Sequence, residues 1–216
     1  MRTLLFFLFL SAPVVFSTSG CSSIPGKKNT DSGKENDLGS RTLTYDDLIH
    51  GDYQHYITKY HLNPDYVLFL DFSVHSGRKR LFLLDLKRHR ILRRMMVSHG
   101  INSGDGEGHA VSFSNEPGSH QSSLGYAIVS RRDHSNWGTH VKYWLKGLSP
   151  TNSNMTRRLV VLHSYEMVPD EETWPDPIIP SEGCVMISTK DMTFLDRFIR
   201  ELDNKKVLLH TTDRGH

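Results

Sequence analysis

Residues 158–188 read RLVVLHSYEMVPDEETWPDPIIPSEGCVMIS, and the architecture of the chain follows from how the two ends of this stretch are read. An apolar run closes on His163, a Pro-rich acidic excursion follows, and Ser181-Glu182-Gly183-Cys184 opens a second apolar run. Short apolar runs bounded by Pro, Gly and Ser are strand signals, so a His and a Cys are expected at the ends of two short strands. An imidazole within hydrogen-bond reach of a thiol takes its proton and makes a nucleophile for a carbonyl carbon. Gly183 permits a tight turn in which the amides around Glu182, Gly183 and Cys184 converge on an oxyanion. The chemistry implied is acyl transfer. A structural reading competes with it, because Cys is among the most often buried residue types and a lone Cys ahead of Val185-Met186-Ile187 also fits a core.

The N-terminus bears on that choice. Residues 1–20, MRTLLFFLFLSAPVVFSTSG, carry one Arg beside the Met, an apolar run and small residues at the end. This is the pattern of a secretory signal peptide, too short for a convincing transmembrane helix, and it predicts export. Thr18-Ser19-Gly20-Cys21 resembles a bacterial lipoprotein signal box with Thr18 in place of the usual aliphatic residue. Cys21 is therefore the candidate lipidation site, with ordinary secretion as the alternative. The chain has two cysteines, so lipidation of Cys21 leaves Cys184 as an unpaired thiol in an oxidising compartment, which favours a reactive group. Residues 21–41 are Ser, Gly, Lys, Asp and Asn with little apolar content and read as a flexible tether, leaving residues 42–216 as one domain.

Within that domain, Thr44 with Asp47 is a capping signal, and Tyr45, Leu48, Ile49, Tyr56, Ile57 and Tyr60 keep helical spacing up to Asn63-Pro64-Asp65. Runs at 66–74, 80–86, 91–98, 124–131, 140–148, 158–163 and 205–210 predict strands in an antiparallel sheet. Ser188 with Asp191 caps a second helix whose stripe is Met192, Leu195, Phe198, Ile199 and Leu202. The fold class expected is mainly β, with a short N-terminal helix and one helix after Cys184. A basic cluster from Arg78 to Arg94 reads as a solvated face, with an anionic polymer or lipid surface as the sharper alternative; a net charge of only +2 argues against nucleic acid. The Gly-rich loop at 99–109 has neither dinucleotide-loop nor EF-hand spacing, and His99, His109 and His120 lack any metal-ligand pattern, so no metal is expected. Ser123-Leu124-Gly125 has Gln121 where a nucleophile elbow needs Gly.

With these residues in view, the chain resembles the murein L,D-transpeptidase catalytic-domain family, whose members carry a His, a gap, then Ser-x-Gly-Cys. Here the pieces are His163-Ser164 and Ser181-Glu182-Gly183-Cys184, with Phe113-Ser114-Asn115, Ser119, Ser122-Ser123-Leu124-Gly125 and Lys146-Gly147-Leu148 as further landmarks. The resemblance covers 66–210 and implies a β-sandwich or barrel acting on peptidoglycan stem peptides without a cofactor. It implies that Cys184 attacks the carbonyl after an L-centre, that His163 is the base, and that a carbonyl near Ser164 orients the ring. Gly183 and Cys184 would supply oxyanion amides, and Ser181, Glu182, Ser123 and Gly125 would lie at the substrate. An amine acceptor gives a cross-link, and water gives an L,D-carboxypeptidase or related hydrolase. Many relatives have a second His where this chain has Glu182, and Asn or Arg where it has Met186; those departures leave a non-catalytic wall-binding lipoprotein as a third reading. By resemblance to known sorting patterns, Ser22 after Cys21 points to a periplasmic protein anchored at the outer membrane.

Overall fold

A computed structural model describes residues 43–49 and 51–214; the expected signal peptide 1–20, tether 21–41 and lipidation site Cys21 lie outside the described residues. Two helices open the described chain, α1 (Tyr45–Leu48) and α2 (Tyr53–Tyr60). The Thr44–Asp47 capping box forms as expected, with Asp47 accepting from the Thr44 amide at 2.7 Å. The single helix anticipated from Thr44 to Tyr60 is broken at Gly51, after which Asp52 caps α2 by accepting from the His55 amide. Glycine weakens a helix interior and Asp competes for local amides, so the break falls where propensity is poorest.

Strands β1 (Tyr66–Asp71), β2 (Leu81–Asp85), β3 (Arg90–Met95), β4 (Gly125–His134), β5 (Val141–Gly147), β6 (Val161–Ser164), β7 (Val185–Ile187) and β8 (Val207–Thr212) form one eight-stranded sheet in the order β3-β2-β1-β8-β4-β5-β6-β7. The first three strands pair antiparallel as expected and most other neighbours do too, but β1–β8 and β6–β7 are parallel, so the sheet is mixed. The physical reason lies in the connections. Parallel neighbours need a crossover, and the excursion 165–184 and helix α3 (Thr189–Glu201) supply the length that a hairpin lacks. Past β3 the chain meets β7 through an antiparallel Val97–Ile187 bridge, with the Ser98 amide donating to the Met186 carbonyl at 2.9 Å, so the sheet is nearly closed.

Alternation along β1 and β2 feeds two cores. Leu68, Leu70, Leu81 and Leu83 face one cluster with α3, whose Met192, Leu195 and Ile199 recur at helical spacing. Val67, Phe69, Phe82 and Leu84 face the other, under α1 and α2. Both faces being covered explains why these strands read as continuous apolar runs. The basic cluster is dispersed: Arg80 is fully buried, Lys79 pairs with Glu171, Arg88 and Arg90 with Asp85, and Arg93 with Asp191.

Candidate active site

His163 sits on β6 and Cys184 just ahead of β7, and the parallel ladder pairs Leu162 with Val185 and His163 with Met186. Side chains alternate across a strand, so Val161 and His163 share one face with Cys184 and Met186. That face, opposite the α3 core, lines a cavity of about 490 Å³. Lys142 of β5, Tyr165, Ser181 and Glu182 line it too, and the β4–β5 turn brings in Trp137.

The imidazole is held by its neighbour. His163 Nδ1 lies 3.0 Å from the Ser164 carbonyl oxygen, which can only accept, so Nδ1 carries the proton and Nε2 keeps its lone pair. Burial lowers the His163 pKa and favours the neutral ring; the Ser164 hydrogen bond opposes this and the charge of Lys142 adds to it. Ser164 is itself fixed: its Oγ accepts from the Thr139 amide at 3.0 Å. Cys184 Sγ donates toward the Leu159 carbonyl at 3.9 Å, and among the described residues sulfur and imidazole share the cavity without a hydrogen bond between them. Burial raises the thiol pKa; the Val161 amide, Arg158 and Lys142 pull it back down, and Glu182 pushes it up. The thiol and imidazole thus stand in one cavity without touching, and proton transfer between them would require that gap to close.

Residues Ser181 to Cys184 form a tight turn closed by one hydroxyl. Ser181 Oγ accepts from the Gly183 amide at 3.1 Å and donates to the Cys184 carbonyl at 2.8 Å. Gly183 has φ +102°, and a Cβ there would lie 2.8 Å from the Gln121 carbonyl oxygen, so only glycine fits. Its amide, expected to face an oxyanion, is engaged by Ser181 in this structure. The Glu182 carboxylate, largely exposed at the rim of the cavity, lies against the His120 imidazole. Met186 joins Met96, Val168, Ile178 and Tyr165 in a small apolar cluster beneath the cavity.

Ser123 and Gly125, expected at the substrate, stand outside the cavity lining. Ser123 Oγ takes a 2.5 Å bond from Arg158, and Gly125 begins β4 packed against Ser149. Arg158 is the hub that the sequence reading passed over. It donates to the Ser114 and Gln121 carbonyls at 2.7 and 2.6 Å and to Ser119 Oγ at 3.1 Å, and so ties the 114–123 loop behind the Cys184 turn. The serines read as landmarks are largely its ligands. Lys142 was also missed; strand parity with Val141, Tyr143 and Leu145 puts it on the face away from the core, but its neighbour across the ladder, His163, is set by a register that no local pattern encodes. Among the described residues no group of His, Cys, Asp or Glu is placed to hold a metal; His99 instead accepts from the buried Arg80 at 2.9 Å.

A family model of the L,D-transpeptidase catalytic domain matches residues 44–210. No curated protein matches the chain. Similar solved structures include the helical cell shape determining protein Pgp2 of Campylobacter jejuni, at 12% identity and TM-score 0.41 over 70% of this chain and 48% of that one. Bd1075 of Bdellovibrio bacteriovorus aligns at 17% identity and TM-score 0.40 over 69% of this chain and 48% of that one. An L,D-transpeptidase from Xylanimonas cellulosilytica aligns at 15% and 0.35 over 74% and 70%. The chain spans about half the length of the first two.

Proposed function

The chain belongs to the L,D-transpeptidase catalytic-domain family, and from that premise we propose that it is a peptidoglycan L,D-transpeptidase working through an acyl-enzyme on Cys184. The observation that carries this reading is the common cavity of Cys184 and His163, with the imidazole locked in the tautomer that leaves Nε2 as a base. In the proposed first half-reaction Nε2 takes the thiol proton and the thiolate attacks the carbonyl that follows an L-centre in a stem peptide. The C–S bond forms, the C–N bond breaks, and the leaving amine departs with the proton from His163. In the second, an amine of a neighbouring stem attacks the thioester, gives its proton to His163, and releases the thiolate with a new amide bond.

Water in place of the amine gives net hydrolysis, so one experiment separates the two enzymes. The purified domain is incubated with a tetrapeptide stem fragment, with and without an amine acceptor, and the products are resolved by mass. Cross-linked product that requires both Cys184 and the acceptor supports transpeptidation; release of the terminal residue alone indicates an L,D-carboxypeptidase. Acceptance of neither substrate by a folded domain favours the wall-binding reading.

The same reading places the domain outside the cytoplasm, exported by residues 1–20 and tethered through 21–41 to a lipid on Cys21 at the outer membrane. Metabolic labelling with an alkyne fatty acid tests this. Label on wild type and none on Cys21→Ala supports the anchor, and an unlabelled secreted protein contradicts it.

A further inference from the structure

Lys142 is the cation that the cavity holds ready for a ligand. Across four strands the ladder aligns Asp133, Lys142, His163 and Met186 as directly opposite residues, so the ammonium belongs to the strand position next to the imidazole. Asp133, across the ladder, feels the charge of the ammonium but makes no ion pair with it. That carboxylate is engaged by Arg131 at 3.1 Å, the Trp144 indole at 2.9 Å and the His134 amide at 2.9 Å. Glu182, the carboxylate lining the cavity, lies against His120 and makes no ion pair with Lys142. Among the described residues Lys142 makes no ion pair, and its ammonium lies 5.1 Å from the centre of the Trp144 ring, a cation–π contact that steadies a flexible side chain. A cation steadied on an indole, without an ion-pair partner among the described residues and lining a cavity, is a site for an anionic group of a ligand.

The position of Lys142 identifies which anion. In the acyl transfer proposed above, on which this inference rests, His163 hands its proton to the leaving amine. In an amino acid leaving group the α-carboxylate carbon is two bonds from that nitrogen, so a cation on the strand position beside His163 that lines the same cavity is placed to meet it. We propose that Lys142 binds the terminal α-carboxylate of the residue that leaves, and thereby makes the site selective for the free end of a stem peptide over an internal or amidated bond. Lys142 is then a specificity residue that touches the donor. Its charge also adds, behind burial, to disfavouring the imidazolium, and it favours the thiolate.

The test uses matched tetrapeptides ending in a free carboxylate or a carboxamide, with binding measured calorimetrically on Cys184→Ala so that no turnover intervenes. A pair of this kind is expected to favour the acid over the amide by about tenfold, the ratio that corresponds to roughly 1.4 kcal/mol. Lys142→Met should bind both peptides equally, at the affinity of the amide, and Lys142→Arg should restore a preference for the acid. Equal binding of acid and amide by Cys184→Ala, no binding of either, or an equal loss for both in Lys142→Met would overturn the assignment. Intact mass of the wild type with the acid peptide is read in parallel. A carboxylate preference without an acyl adduct sinks the catalytic reading and leaves Lys142 as an anion receptor, whereas an adduct without that preference sinks the Lys142 assignment alone.

Discussion

Replacing Arg158 by Met removes the guanidinium that joins the 114–123 loop to the Cys184 turn while keeping a stem of similar length. Four bonds go: to the Ser114 and Gln121 carbonyls at 2.7 and 2.6 Å, and to the Ser123 and Ser119 hydroxyls at 2.5 and 3.1 Å. Ser114 retains a 2.7 Å bond from Ser123, and the two hydroxyls can turn to water, so the Gln121 carbonyl is the acceptor left worst off. Hydrogen bonds to a charged group contribute about 1.5–3 kcal/mol each. Counting only the two carbonyls at the low end, and discounting because Arg158 is half-buried, the expected loss is about 2–3 kcal/mol. Urea unfolding should show the midpoint falling with the slope unchanged. The same substitution removes a cation that pulls the Cys184 thiol down, so the midpoint of iodoacetamide alkylation against pH should rise. Arg158→Lys keeps the charge and loses the fork; it should preserve the alkylation midpoint better than the stability. A Met variant less than about 0.5 kcal/mol below wild type, the range of an ordinary surface substitution, would refute the hub.

The remaining predictions follow the same site and its supports. Glu182→Gln removes a charge that pushes the Cys184 thiol up, so the alkylation midpoint should move to lower pH; an upward move would show that the His120 pairing matters more than the field of the acid. Gly183→Ala places a Cβ 2.8 Å from the Gln121 carbonyl at φ +102°, a conformation that costs of order 1–3 kcal/mol for other residues, and should lower both the unfolding midpoint and Cys184 acylation. Burial pushes the His99 and His210 pKa values down from 6.5 to about 4, and Arg80 adds to the effect at His99. Depressed folded values mean that the unfolded chain binds more protons between these limits. Stability should therefore be full above pH 6.5 and fall as pH drops toward 4, by at most about 1.4 kcal/mol per pH unit per histidine. Urea midpoints at intervals across that window check it: a flat profile contradicts the burial argument, and a shallower one in His210→Gln supports it.

Local patterns made much of this fold legible. The Thr44–Asp47 box, the Ser188 cap and the Met192-Leu195-Ile199 stripe are encoded within a turn or two of chain, and each forms. The runs of β1 and β2 announced strands because both faces of the sheet are covered there. What was not legible is what depends on partners far away in sequence. The direction of β8 beside β1 is set by where α3 returns the chain, and apolar runs carry no sign of it. Arg158 looked like the polar start of a strand, yet Leu159 at φ +59° delays β6 to Val161 and leaves the arginine to gather ligands 35 to 44 residues earlier. Ser123 and Gly125 drew notice as part of a motif; the motif serves that scaffold rather than the cavity. Lys142 gained its place from a register shared with His163, which only three dimensions supply.

The central claim is that Cys184 is an acylating nucleophile activated by His163. Intact-protein mass spectrometry of wild type, Cys184→Ala and His163→Gln after incubation with a tetrapeptide stem fragment tests it most directly. The account predicts a mass increase equal to the acyl fragment on wild type, none on Cys184→Ala, and a strongly slowed increase on His163→Gln. An unmodified wild type that is folded and binds the peptide, or an adduct that survives in Cys184→Ala, would contradict it.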